Sequence, residues 1–137
     1  RAYLVERDPE ALEICKNNLN LLKSEGLTLG EAVFVNSPIV GFSEKVELVI
    51  QNPPFGTNVK HADREFLVKA FEISNSVYSF HKSESVAFAR RFMEAKGFRL
   101  THAWDYELAL KATQKYHIRR IKRINVSCLR FSGSSQK

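Results

Sequence analysis

The double proline at positions 53 and 54 restricts the fold of this chain more than any other feature. It follows the apolar run Val46-Glu47-Leu48-Val49-Ile50-Gln51, with only Asn52 between. Proline fixes its own φ and has no backbone N–H for a sheet ladder, so a strand over 46–50 must stop there. The C-terminal edge of that strand then holds the side-chain amide of Asn52, the unpaired carbonyl of Pro53 and the ring of Phe55. Such a set can grip a planar amino group. The Asn52 oxygen and the Pro53 carbonyl can each accept one N–H, the Phe55 ring lies beside them, and Pro54 offers no N–H that competes for those acceptors.

The rest of the chain alternates strand-like and helix-like segments. Ala2-Tyr3-Leu4-Val5 is a short apolar run that ends at Glu6. Asp8, Pro9 and Glu10 then suit the N-cap, the first helical position and the positive end of a helix. Leu12, Cys15, Leu19 and Leu22 recur at helical spacing and predict one inward face. Further strands are expected over 31–35, over 46–50 (buried on both faces, as in a parallel sheet) and over 76–81. Helices are expected over 63–74 and 83–96, the second closed by Gly97. The runs 98–110 and 120–131 could pair as an antiparallel hairpin. This order predicts an α/β fold with a mostly parallel sheet, helices on both faces and an antiparallel C-terminal hairpin. One domain over residues 1–132 with a polar tail at 133–137 is the expected organisation.

Charge narrows the partner. The chain carries a formal +6 over 137 residues, and six Lys or Arg with His117 fall between Lys111 and Arg123 without one acid. Clustered cations attract a polyanion and release its counterions, so phosphate binding is the sharp reading and a solvated basic face the bland one. No apolar run approaches the roughly 20 residues of a membrane helix. No charged-then-apolar leader opens the sequence, and Cys15 and Cys128 lack metal-like spacing. The expectation is a cytoplasmic protein with free thiols and no metal.

Asn52-Pro53-Pro54-Phe55 resembles the active-site signature of the Asn/Asp-Pro-Pro-aromatic class of S-adenosylmethionine-dependent amino-methyltransferases. The segment Asn52 to Thr57 with Asp63 nearby, then Tyr78-Ser79-Phe80-His81-Lys82-Ser83, then the basic run to Leu129-Arg130-Phe131, look like the methyltransferase-like protein 5 group and its archaeal relatives. The resemblance covers essentially the whole chain. It implies a Rossmann-like class I methyltransferase sheet, N6-methylation of an adenosine in small-subunit ribosomal RNA, and S-adenosyl-L-methionine as cofactor. In many relatives it also implies a small zinc-binding activator protein. On this reading Asn52, Pro53, Pro54 and Phe55 are catalytic. Glu6, Arg7, Ser37 and Pro38 join Asn52 in holding the cofactor, with Glu6 accepting the ribose hydroxyls as an acid at that strand end does in a doubly wound sheet. Lys60, His81, Lys82, Lys115, Arg119 and Arg120 meet RNA.

The chemistry fits an adenine amino group. Its lone pair is delocalised into the ring, so acceptors on both N–H bonds orient it towards a methyl donor and stabilise the developing positive charge. A base buried in folded RNA must first be turned out of its stack. Two departures from the group stand out. An acid is usual after the third strand, where this chain has Asn36-Ser37-Pro38. No Asp-x-Gly-x-Gly-x-Gly loop occurs, and the six glycines are scattered. The fold has seven strands and six are expected here, so the chain reads as N-terminally truncated, with a central strand missing and two edges unpaired. The alternatives are a protein glutamine-N5 methyltransferase, which uses the same grip, and a non-catalytic RNA-binding remnant of the fold.

Overall fold

Asp8 begins the first helix as its sequence demands. In the computed structural model its backbone is extended (φ −83°, ψ 113°), its carboxylate accepts the Glu10 N–H at 2.9 Å, and Pro9 occupies the first turn. The structure describes residues 1–54, 62–111 and 121–133. They form two compact units, Arg1–Glu44 and Lys45–Lys137.

In the first unit β1 (Ala2–Glu6) and β2 (Ala32–Asn36) pair in parallel, from Ala2↔Ala32 to Glu6↔Asn36. Helix α1 (Pro9–Ser24) connects them. It ends in a Schellman turn: Gly26 takes φ +86° and donates to the Lys23 carbonyl, while Leu27 donates to the Leu22 carbonyl. That left-handed φ suits glycine because it has no Cβ to clash. Leu12 is buried and Cys15 and Leu19 are half-buried, but Leu22 stays 38% exposed. The predicted inward face therefore holds for its first turns only, over a sheet two strands wide. Phe42 is buried, with its ring centroid 5.3 Å from that of Tyr3.

The second unit carries four strands in the order β3-β4-β6-β5: β3 (Val49–Gln51), β4 (Ser76–Lys82), β5 (Phe98–Lys111) and β6 (Ile121–Gly133). β3 runs parallel to β4, and β6 lies antiparallel between β4 and β5. The expected C-terminal hairpin is present. Its connection, with Lys115, Arg119 and Arg120, lies outside the described residues. Helices α2 (Ala62–Ile73) and α3 (Val86–Glu94) supply Leu67, Ala70, Ala89 and Met93 to a core with Val77, Phe98, Leu129 and Phe131. The helix expected over 83–96 is divided, because a 3₁₀ turn at Ser83–Ser85 precedes α3. Gly97, at φ +83°, then turns the chain into β5. No described helix is long and apolar enough to cross a membrane.

One expectation is corrected here. The strand over 46–50 was to be buried on both faces; β3 covers only Val49–Gln51, and Leu48 and Ile50 are 45% and 69% exposed. Side chains alternate along a strand, so Val49 meets the core while Ile50 faces the other way. Nothing among the described residues pairs with the far edge of β3, nor with the far edge of β1. The strands thus form two sheets, and the edges of β1 and β3, unpaired among the described residues, are the two that the sequence reading left without a central strand.

Candidate active site

Asn52 stands immediately beyond β3 and is exposed, whereas Pro53 is buried and Pro54 half-buried. The Asn52 amide has no hydrogen-bond partner among the described residues. A buried proline on one side and the sheet on the other hold this amide at the strand's end. Phe55, Lys60 and His61 lie outside the described residues.

Behind Asn52 runs a buried polar network. The Gln51 amide donates to Ser79 Oγ at 3.1 Å, and Ser79 Oγ lies 2.8 Å from His81 Nε2. Gln51 and Ser79 are register partners across β3 and β4. Ser79 and His81 are 0% and 2% exposed. The sequence reading gave His81 to RNA contact; in the structure its position on β4 shares the inward face of Val77 and Ser79. The ring is therefore a buried member of the network. Lys82, one position on, points away and lies 3.7 Å from Glu84 in a partly exposed ion pair.

Ser127, the register partner of His81, extends the polar stretch on β6. Its hydroxyl donates to Asp105 Oδ1 at 2.5 Å and lies 3.0 Å from Ser83 Oγ. An ionised carboxylate only accepts, so Ser127 spends its one proton on Asp105 and accepts from Ser83. These residues, with Val86, Tyr106, Glu107 and Asn125, line an open cleft of about 510 Å³. No three His, Cys, Asp or Glu side chains converge as a metal site among the described residues.

A second candidate group sits in the first unit, at the ends of β1 and β2. Glu6 Oε1 accepts the Asp8 N–H at 2.9 Å, which orients the carboxylate and leaves Oε2 for a hydroxyl donor. Asn36 Nδ2 donates to the Glu6 and Arg7 carbonyls at 3.0 and 3.1 Å, and Ser37 N–H also donates to the Glu6 carbonyl. Ser37 Oγ donates to the Pro38 carbonyl at 2.9 Å. A Cβ at Gly41 would come 2.6 Å from that oxygen, so glycine permits the turn. The Asn36 amide protons and the Ser37 hydroxyl proton are committed to this turn, and what each has left for a ligand is an acceptor.

No protein-family model matches the chain. An uncharacterised protein of Methanocaldococcus jannaschii is 31% identical over 136 residues, covering 95% of this chain and 62% of that protein. The rRNA N(6)-adenosine-methyltransferase METTL5 of Danio rerio is 27% identical over 127 residues, covering 91% of this chain and 61% of that one. Among solved structures, a candidate RNA methyltransferase from Pyrococcus horikoshii is 38% identical and superposes with a TM-score of 0.81. That superposition covers 96% of this chain and 62% of the other. The chain is a METTL5 homologue over most of its length. It spans 62% and 61% of the two curated relatives. Its α/β arrangement with the antiparallel β5–β6 pair is that of class I methyltransferases.

The sequence pointed to Asn52 and Glu6 and gave no notice of the network formed by Gln51, Ser79, Ser127 and Asp105. A signal for Ser79 existed. It is a polar residue at an inward position of an alternating strand, and such a residue must find a partner. Ser127 and Asp105 gave no comparable sign, because only the register of β5 on β6 brings them together.

Proposed function

We propose that this chain is part of a longer S-adenosylmethionine-dependent methyltransferase that modifies N6 of an adenosine in RNA, with ribosomal RNA the favoured substrate. The observation that carries the reading is the exposed Asn52 amide, without a hydrogen-bond partner among the described residues and set between a parallel strand and a buried proline. Its oxygen and the Pro53 carbonyl accept the two N–H bonds of the adenine amino group and direct the nitrogen lone pair outward. S-adenosylmethionine, when bound, supplies the electrophilic methyl. Glu6 fits such a nucleoside cofactor, because one carboxylate oxygen is anchored by Asp8 and the other is free for ribose hydroxyls. No strong base is needed, since the proton leaves after transfer.

The name of the zebrafish relative supports the RNA reading. So does the basic stretch between Lys111 and Arg123. The fragment reading is supported by the 62% coverage of the relatives and by the open edge of β3, which can accept a further strand. The test is methyl transfer to ribosomal RNA by the full-length gene product, wild type against Asn52→Ala. Loss of about 100-fold or more in kcat, with folding intact, is expected from removing one acceptor at the reacting group. Unchanged activity would remove the central claim.

A further inference from the structure

The cleft at the start of α3 shares a sheet edge with Asn52, and both belong to the second unit. β3 and β4 run parallel, so Asn52 follows the end of one and Ser83 the end of the other. Gln51 is level with Ser79, and Ser127, with Asp105 beside it, stands only two residues further along β4. Neighbouring strands lie roughly 5 Å apart, so the cleft begins one strand from Asn52 and ends about 15 Å away on β5. Its volume of about 510 Å³ falls among ligand pockets, which run from roughly 300 to 1,000 Å³.

This cleft offers mainly acceptors. Ser127 is buried, its proton goes to Asp105, and the Ser83 proton goes to Ser127. Asp105 keeps Oδ2 for an incoming donor, and Glu107, whose Oε1 accepts from Arg123, keeps Oε2. The Asn125 amide, opposite Glu107, has no hydrogen-bond partner among the described residues. Val86 adds apolar surface. Two carboxylates repel a phosphate, and the nearby cation, Arg123, is already paired with Glu107. No trio of His, Cys, Asp or Glu converges to hold a metal among the described residues. A neutral donor fits: a ribose hydroxyl or the amino group of a base.

We infer that this cleft reads a nucleotide beside the target adenosine, with Asp105 and Glu107 accepting from its ribose hydroxyl or its exocyclic amino group. This rests on the RNA reading proposed above. Asn52 grips an amino group that every adenosine presents, so the choice among adenosines must come from contacts outside that grip. A target turned out of its stack leaves its neighbours open to the protein, and an unpaired nucleotide exposes these donors. Charged acceptors make such contacts stronger than neutral ones, and the Asn125 amide supplies a donor for a base carbonyl or ring nitrogen.

The experiment uses the full-length gene product and fragments of ribosomal RNA. Nucleotides flanking the target are changed one at a time, either to the 2′-deoxy form or to a base analogue lacking its amino group. The ratio kcat/KM is then compared for wild type, Asp105→Asn and Glu107→Gln. Both variants keep the side-chain shape, Asp105→Asn retains an acceptor for Ser127, and melting curves check that each is folded. In wild type one such deletion should cost about tenfold, the worth of a hydrogen bond to a charged group, and the cost should fall below about threefold in one of the variants. Loss with the deoxy form identifies the ribose hydroxyl, and loss with the analogue identifies the amino group. The inference is overturned if no deletion slows wild type, or if every loss persists in full in both variants. Fragments left unmethylated by wild type would overturn the RNA reading and this inference together. Methylation without discrimination at the cleft would overturn this inference alone.

Discussion

Ser79 does more for the candidate site than its size suggests. Its oxygen accepts from Gln51 and contacts His81, so one hydroxyl ties the last residue of β3 to the middle of β4 directly behind Asn52. Replacing it with alanine removes the acceptor from Gln51 and a partner from His81 in a buried setting. Ser79→Ala should cost about 1–3 kcal/mol of stability, the desolvation penalty of buried polar groups that lose partners. A urea midpoint lowered at unchanged m value checks it. The places of Glu6 and Asn52 at strand ends were legible because each follows an apolar run and precedes a proline-marked boundary. The network behind them was not, since hydrogen bonds across strands depend on register. The burial of His81 was missed for the same reason: Tyr-Ser-Phe-His-Lys looks like an exposed strand end until its inward positions are known.

Elements followed local chemistry more faithfully than contacts did. The Asp8 cap, the Gly26 turn and the Gly97 turn stand where the residues require them. The antiparallel pairing of β5 and β6 was readable from two long alternating runs. What local pattern did not carry was the depth of burial. The apolar run at 46–50 looks like an interior strand, yet burial belongs to neighbours, and β3 has one strand neighbour among the described residues. The same distinction sets two substitutions apart. Met93 on α3 is 0% exposed inside the core, so Met93→Ala should cost about 2–5 kcal/mol. Leu22 on α1 is equally apolar and 38% exposed, and Leu22→Ala should cost less. Thermal or urea unfolding of the two variants in one background gives the comparison, and equal losses would refute the assignment of burial.

At the level of the molecule, two sheets stand where the class I fold has one. Of the groups proposed for cofactor and for substrate, Glu6 belongs to the first unit, at the end of β1, and Asn52 to the second, beyond β3. Residues 1–137 alone should bind S-adenosylmethionine weakly or not at all, because no glycine-rich loop is present to meet the cofactor. Titration calorimetry measures this, and micromolar affinity for the isolated chain would contradict it. The order β3-β4-β6-β5 also bears on how the protein is made. β6 is synthesised after β5, yet it lies between β5 and β4 and brings Leu129 and Phe131 to the core. On the ribosome, β5 therefore emerges with no strand to join, and the second unit stays open until β6 arrives to join both neighbours at once.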